Sequence, residues 1–149
     1  MTKRYLEDLA VAQTFDSGRM KIDALSIKRF AAEFDPQPFH LDEKAAGNTL
    51  FRGLAASGWH TAALTMRLLV ESELQLADGV IGAGFDELRW PKPVRPGDEL
   101  HVRTEVLDVR VSKSRPGQGL VKLRGTTFNQ HDEPVQVFVG NLLVSCRPK

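Results

Sequence analysis

The sequence has one cysteine and one tyrosine in 149 residues, no long apolar run, and no excess of either charge. Each shortage excludes something. Cys146 has no partner for an internal disulfide, and its place in an apolar run marks it as a small core side chain rather than a nucleophile. No apolar run approaches the roughly 20 residues of a membrane-spanning helix. The opening M-T-K-R-Y-L-E-D-L-A mixes charges where a secretory signal needs an apolar core, so a cytoplasmic location is expected. Twenty basic against nineteen acidic side chains leave a formal charge of +1 without a basic cluster, which favours neither nucleic acid nor a membrane surface as partner. His40, His60, His101 and His131 are scattered without ligand spacing, so no metal is expected. His60 reads as a satisfied packing residue.

Two glycine patterns also fall short. G-A-G at Gly82 to Gly84 lacks the third glycine and the following helix of a dinucleotide fingerprint. Gly53 to Gly58 lacks the G-x-S-x-G spacing of a nucleophile elbow, so Ser57 reads as the start of a helix.

The length fits one domain over residues 1–149, large enough to bury roughly 70% of its unfolded surface without a disulfide or metal staple. Residues 1–13 read as a loose lead-in, and Thr14 to Ile22 as a weak or bent edge strand around Ser17-Gly18. Asp23 is placed to cap a helix whose apolar positions are Leu25, Ile27, Phe30, Ala31 and Phe34. That helix must stop at the Asp35-Pro36 bond. L-D-E-K-A-A after His40 reads as one short helix ended by Gly47-Asn48. The longest periodic segment, Ser57 to Leu74, carries a stripe of Trp59, Ala62, Ala63, Met66, Leu69, Val70 and Leu74. Leu64 and Leu68 lie on another face, which predicts a core helix buried on more than one side. From Gly79 the period changes to that of strands separated by turn signals, which predicts an antiparallel meander whose last strand, apolar on both faces, is central. The fold class is therefore α+β, with a sheet wrapped on one long helix.

The stretch F-D-P-Q-P-F-H, Phe34 to His40, carries the chemistry. Pro36 and Pro38 predict a stiff loop, and Asp35 and His40 at its ends can converge between the apolar anchors Phe34 and Phe39. A carboxylate and an imidazole facing one small space suit general acid–base work on water. Burial beside two phenylalanines is expected to favour neutral Asp35. The same residues also satisfy a plainer reading, a proline-rich turn with Asp35 capping backbone and His40 starting a short helix. Likewise the Ser57-Gly58 helix start offers free N–H groups to an oxyanion, or is simply a close-packed start. Sequence alone leaves both pairs open.

Together, F-D-P-Q-P-F-H, A-A-S-G-W-H and P-V-R-P-G-D-E-L resemble the MaoC-like dehydratases, relatives of the R-specific enoyl-CoA hydratases, over nearly the whole chain. The resemblance implies the hot dog fold, a curved antiparallel sheet around a long central helix, and a homodimer. It implies reversible syn addition of water to a trans-2-enoyl-CoA thioester, giving a (3R)-3-hydroxyacyl-CoA, with CoA carried by the substrate and no further cofactor. On it, Asp35 and His40 hold and activate one water, C2 is protonated most simply by Asp35, and the Gly58 N–H holds the thioester carbonyl. Gln37 and Pro38 match supporting positions of the loop. The chain departs from the family pattern at Glu33 and Phe34, where a small residue and glycine are usual, and at Gln37, where asparagine is usual. It departs again at Ser57, where histidine is common, and at Met66, where some relatives carry serine. Arg52, Lys92, Arg95 and Arg115 are loop candidates for the CoA phosphates by position. Two other readings use the same fold: a thioesterase, for which the helix carboxylates Glu71 and Glu73 look solvated and far from Gly58, and a non-catalytic acyl-CoA or lipid binding module.

Overall fold

A computed structural model describes residues 2–149. Strands β4 (Glu99–Val111), β5 (Gln118–Phe128) and β6 (Pro134–Ser145) alternate buried and exposed side chains and pair antiparallel in sequence order. The alternation puts Leu100 and Val102 of β4 on the inner face, packed with Leu68 of helix α4 (Gly58–Val70). On β5, Gly125 lies opposite Phe138 of β6, and a Cβ there would collide with that ring, so only glycine lets the ring lie across the strand.

Strand β3 (Ile81–Arg89) departs from the expected meander. It pairs with β6 rather than β4, giving the order β1-β4-β5-β6-β3. Because β6 is apolar on both faces, it satisfies its backbone best with a strand on each side, and the central placement read from its sequence holds. The proline-rich connection after β3 therefore crosses to the far part of the sheet. Register breaks between Gly82 and Gly84 and between Phe85 and Glu87 mark bulges that bend β3.

The bent edge strand is present as β1 (Thr14–Asp16) and β2 (Met20–Lys21), both paired with β4. The lead-in is not loose, although Met1 lies outside the described residues. Leu6, in a 3-10 turn at Leu6–Asp8, and Leu9 are buried with Phe15, Leu69 and Leu123, giving the segment an apolar foot on the sheet. Cys146 packs against the same cluster.

Helix α1 (Ala24–Phe34) is capped by Asp23, whose carboxylate accepts from the Ser26 N–H at 2.8 Å. Its buried face is narrower than predicted: Ile27 and Ala31 are buried, whereas Leu25 and Phe34 are 63% and 64% exposed. Helix α4 stops before Leu74 because the Ser72 hydroxyl turns back onto the Leu69 carbonyl at 2.6 Å. Its buried face is His60, Thr61, Thr65, Leu68 and Leu69, while Trp59, Met66 and Val70 of the predicted stripe are exposed. No helix among the described residues is long and apolar enough to cross a membrane.

Candidate active site

Asp35 is the residue at which α1 ends. Its N–H still bonds the Ala31 carbonyl at 2.8 Å, and Pro36 prevents the next turn. Pro38 then opens a one-turn helix, α2 (Pro38–Leu41), where a missing N–H costs nothing. The expected stiff loop thus contains a helical turn, because the prolines exclude helix only between the two elements. A separate turn, α3 (Glu43–Ala46), follows after Asp42, so the expected single helix is two.

Within α2, His40 is buried and its Nδ1 lies 2.6 Å from the Ala55 carbonyl oxygen. A carbonyl only accepts, so Nδ1 carries the proton and Nε2 is directed at Asp35 Oδ2, 3.3 Å away. The carboxylate and imidazole do converge. Asp35 Oδ1 accepts from Gln37 Nε2 at 2.5 Å, and Oδ2 accepts from the Ser57 hydroxyl at 2.6 Å. The expectation of a neutral Asp35 is overturned. Burial is the largest single influence and does raise its pKa, but the Ser57 and Gln37 hydrogen bonds and the facing His40 together hold it below the usual aspartate value of 3.8.

At the start of α4, Ser57 Oγ accepts from the Trp59 N–H at 3.2 Å, and the His60 and Thr61 N–H groups bond the Ser57 carbonyl at 3.0 and 3.1 Å. The Gly58 N–H is left without an acceptor among the described residues. Gly58 is also close-packed, since a Cβ there would lie 2.7 Å from the Trp90 indole. Gly58 and His40 line one cavity of about 200 Å³ together with Phe51, Ala56, Thr61 and Trp90. Trp90 is fixed in that wall by its Nε1–H bond to Gln136 at 2.9 Å.

The basic candidates divide. Lys92 lines the cavity but is paired with Glu133. Arg95 is a buttress rather than a free charge: its guanidinium donates to the carbonyls of Phe51, Gly53 and Leu54, bracing the chain just before Ala55. Arg52 and Arg115 do not line the cavity. Glu71 pairs with Arg67 at 3.2 Å and Glu73 accepts the Asp16 N–H at 2.6 Å, at the opposite end of α4, about 20 Å from Gly58. His60 packs as expected, stacked on Phe30 with centroids 4.6 Å apart, but its buried Nδ1 has no partner among the described residues. A larger hollow of about 410 Å³ lies elsewhere, beside His101, where Arg103 is bidentate on Asp16 and His101 lies 3.5 Å from Asp132.

Sequence reading missed Ser57 as a partner of Asp35. Its role at the helix start was legible, but nothing in the sequence shows a contact across 22 positions.

A curved antiparallel sheet around one main helix, with a carboxylate–imidazole pair beside that helix's first turn, defines a hot dog-type protein. A model of the MaoC like domain matches residues 8–127, and the chain belongs to the MaoC-like dehydratase family. It is 37% identical over 139 residues to the uncharacterized protein YdeM of Bacillus subtilis (strain 168), covering 93% of this chain and 96% of YdeM. The crystal structure of the MaoC-like dehydratase from Rhodospirillum rubrum is 60% identical, with a TM-score of 0.95 over 98% of this chain and 99% of that one. R-hydratase PhaJ1 from Pseudomonas aeruginosa is 27% identical, with a TM-score of 0.73 over 96% of this chain and 86% of that one.

Proposed function

We propose that the protein is a hydratase/dehydratase that adds water reversibly to a trans-2-enoyl-CoA thioester, giving a (3R)-3-hydroxyacyl-CoA. The observation that carries this reading is the pair of acceptors Asp35 Oδ2, which the Ser57 hydroxyl also addresses, and His40 Nε2, 3.3 Å apart, with His40 and Gly58 lining one cavity. One water donates an O–H to each acceptor, which leaves its lone pair free for C3 of the substrate. The Gly58 N–H, at the positive end of α4, receives the thioester oxygen as enolate charge grows on it. The proton taken from water returns to C2 on the same face, which accounts for syn addition. CoA is part of the substrate, and no other cofactor enters.

The protein is further proposed to act as a homodimer in the cytoplasm. Support for the dimer comes from β3, an edge strand of nine residues, seven of them exposed, with Ile81 and Phe85 46% and 60% exposed beside Trp59 and Met66. The opposite edge, by contrast, is blunted into strands of three and two residues.

The test is hydration of a panel of trans-2-enoyl-CoA thioesters, followed by loss of the conjugated-thioester absorbance, in wild type, Asp35→Asn and His40→Ala. Turnover by wild type with losses of roughly 100-fold or more in each variant is expected. Equal inertness of all three proteins while wild type still binds acyl-CoA would sink the hydratase reading.

A further inference from the structure

We infer that Ser57 is a positioning residue that keeps Asp35 a carboxylate, so that His40 alone carries the proton between water and C2. The inference rests on the hydratase reading, and it moves the final proton donor from Asp35, as family resemblance implies, to His40.

The ordering of protons around Ser57 is the starting point. Ser57 is fully buried, and its oxygen already accepts the Trp59 N–H at 3.2 Å. Its own proton therefore has one place to go, Asp35 Oδ2 at 2.6 Å. The other carboxylate oxygen is taken by the Gln37 amide at 2.5 Å. Both oxygens of Asp35 are thus addressed by donors, an environment that an ionised carboxylate satisfies and a protonated one does not. The titratable group facing Asp35 is His40 on α2, and an imidazolium there favours the carboxylate further. From α4 and the intervening loop come only the uncharged donors Ser57 and Gln37. Lys92, in the cavity wall, is held by Glu133. The depressed Asp35 pKa agrees with this arrangement.

The step then balances with one mobile proton. Water's O–C3 bond forms as one of its protons passes to Nε2 and the C2–C3 π pair moves onto the thioester oxygen. The imidazolium, 3.3 Å from the Asp35 carboxylate, gives that proton to C2 as the electron pair returns. Asp35 remains ionised throughout, orienting water's other O–H and stabilising the imidazolium. In the dehydration direction Nε2 removes the C2 proton and hands it to the departing hydroxyl.

The test combines a titration that needs no turnover with one that does. The Asp35 side-chain carbonyl is followed against pH by carbon-13 NMR, assigned with Asp35→Asn, in wild type, Ser57→Ala and Ser57→Thr. Wild-type Asp35 is expected to be ionised throughout the neutral range. Ser57→Ala should raise its midpoint by about one pH unit, a tenfold change in proton affinity, and Ser57→Thr should restore it. The acid limb of kcat/KM should move with the carboxyl midpoint, which a merely structural role for Ser57 would not produce. A protonated Asp35 in wild type at pH 7, or a Ser57→Ala midpoint equal to that of wild type, overturns the inference, and the first of these needs no variant to fold. If the midpoint moves but no thioester is hydrated, the hold on Asp35 stands and the reaction assigned to the protein is what fails.

Discussion

His60 and Asp35 each contribute to the pH response, and their signs can be worked out separately. Burial lowers the pKa of His60, so between that lowered value and the ordinary 6.5 the unfolded chain binds a proton that the folded chain does not. Stability should therefore fall as pH drops below 6.5 and level off once pH passes the folded value. His60→Phe keeps the ring against Phe30 and removes the unpartnered Nδ1, which by itself costs about 1 kcal/mol. Urea midpoints from pH 8 to 5 should show the variant gaining on wild type as pH falls; parallel curves would sink the assignment. Asp35 has its folded pKa below 3.8, so its contribution is complete above 3.8 and is lost as pH falls through the lowered value. Asp35→Asn should remove its share of that acid limb, to which Asp16, Asp23, Glu43, Asp86 and Glu133 also contribute, and leave the His60 slope untouched. At this scale the residues offered Asp35 and His40 as a pair, one of two readings left open until the family resemblance was added, and the charge expected of Asp35 was wrong. Adjacent phenylalanines are visible in a sequence, whereas the Ser57 hydroxyl that reverses their effect arrives from another element.

The site is a meeting of helix ends: α1 stops to deliver Asp35, α2 is a single turn that seats His40, and α4 starts at Ser57 and Gly58. The punctuation of these elements was legible because Asp23, the two prolines and Ser57-Gly58 act on their own backbone. Which face each helix buries was not, because Leu25, Phe34, Trp59 and Met66 read as core by period yet stand exposed in the isolated chain. Nor was the place of β3 legible, since strand order depends on partners and not on local pattern. The approach of Trp90 to Gly58 gives an element-scale prediction. In Gly58→Ala the new Cβ lies 2.7 to 2.9 Å from the indole, so either Trp90, with its bond to Gln136, or the helix start must shift. The expected cost is about 1–3 kcal/mol of stability, with a fall in kcat as the helix start is displaced. Adding Trp90→Leu should make the double variant less destabilised than the sum of the singles, because the clash is removed with the ring. Strict additivity of urea-derived stabilities would show that the clash is not the cause.

For the whole molecule, the side chains the period misplaced are the ones that make sense together. Trp59, Met66 and Phe85 line an apolar hollow between α4 and β3, and Ile81 and Trp90 extend the exposed apolar surface at either end of that strand. A free nine-residue edge joined to such a surface is an aggregation hazard unless something covers it, and the proposed second copy, related by a two-fold axis, would cover it with the same residues. On that proposal, a helix periodic enough to read as buried on more than one side becomes consistent with its observed exposure, because its outer stripe would face the partner. Multi-angle light scattering at micromolar concentration should give twice the mass of the 149-residue chain. Phe85→Lys, which places a charge in the middle of the edge strand, should shift the species to monomer at the same concentration. Because Trp90 lines the cavity and stacks edge-on against Trp59 at 5.5 Å, loss of the partner should loosen the cavity wall, and hydration activity should fall with the dimer fraction upon dilution. A wild-type monomer with full activity would remove the two-fold interface from the account and leave the exposed stripe of α4 without a structural reason.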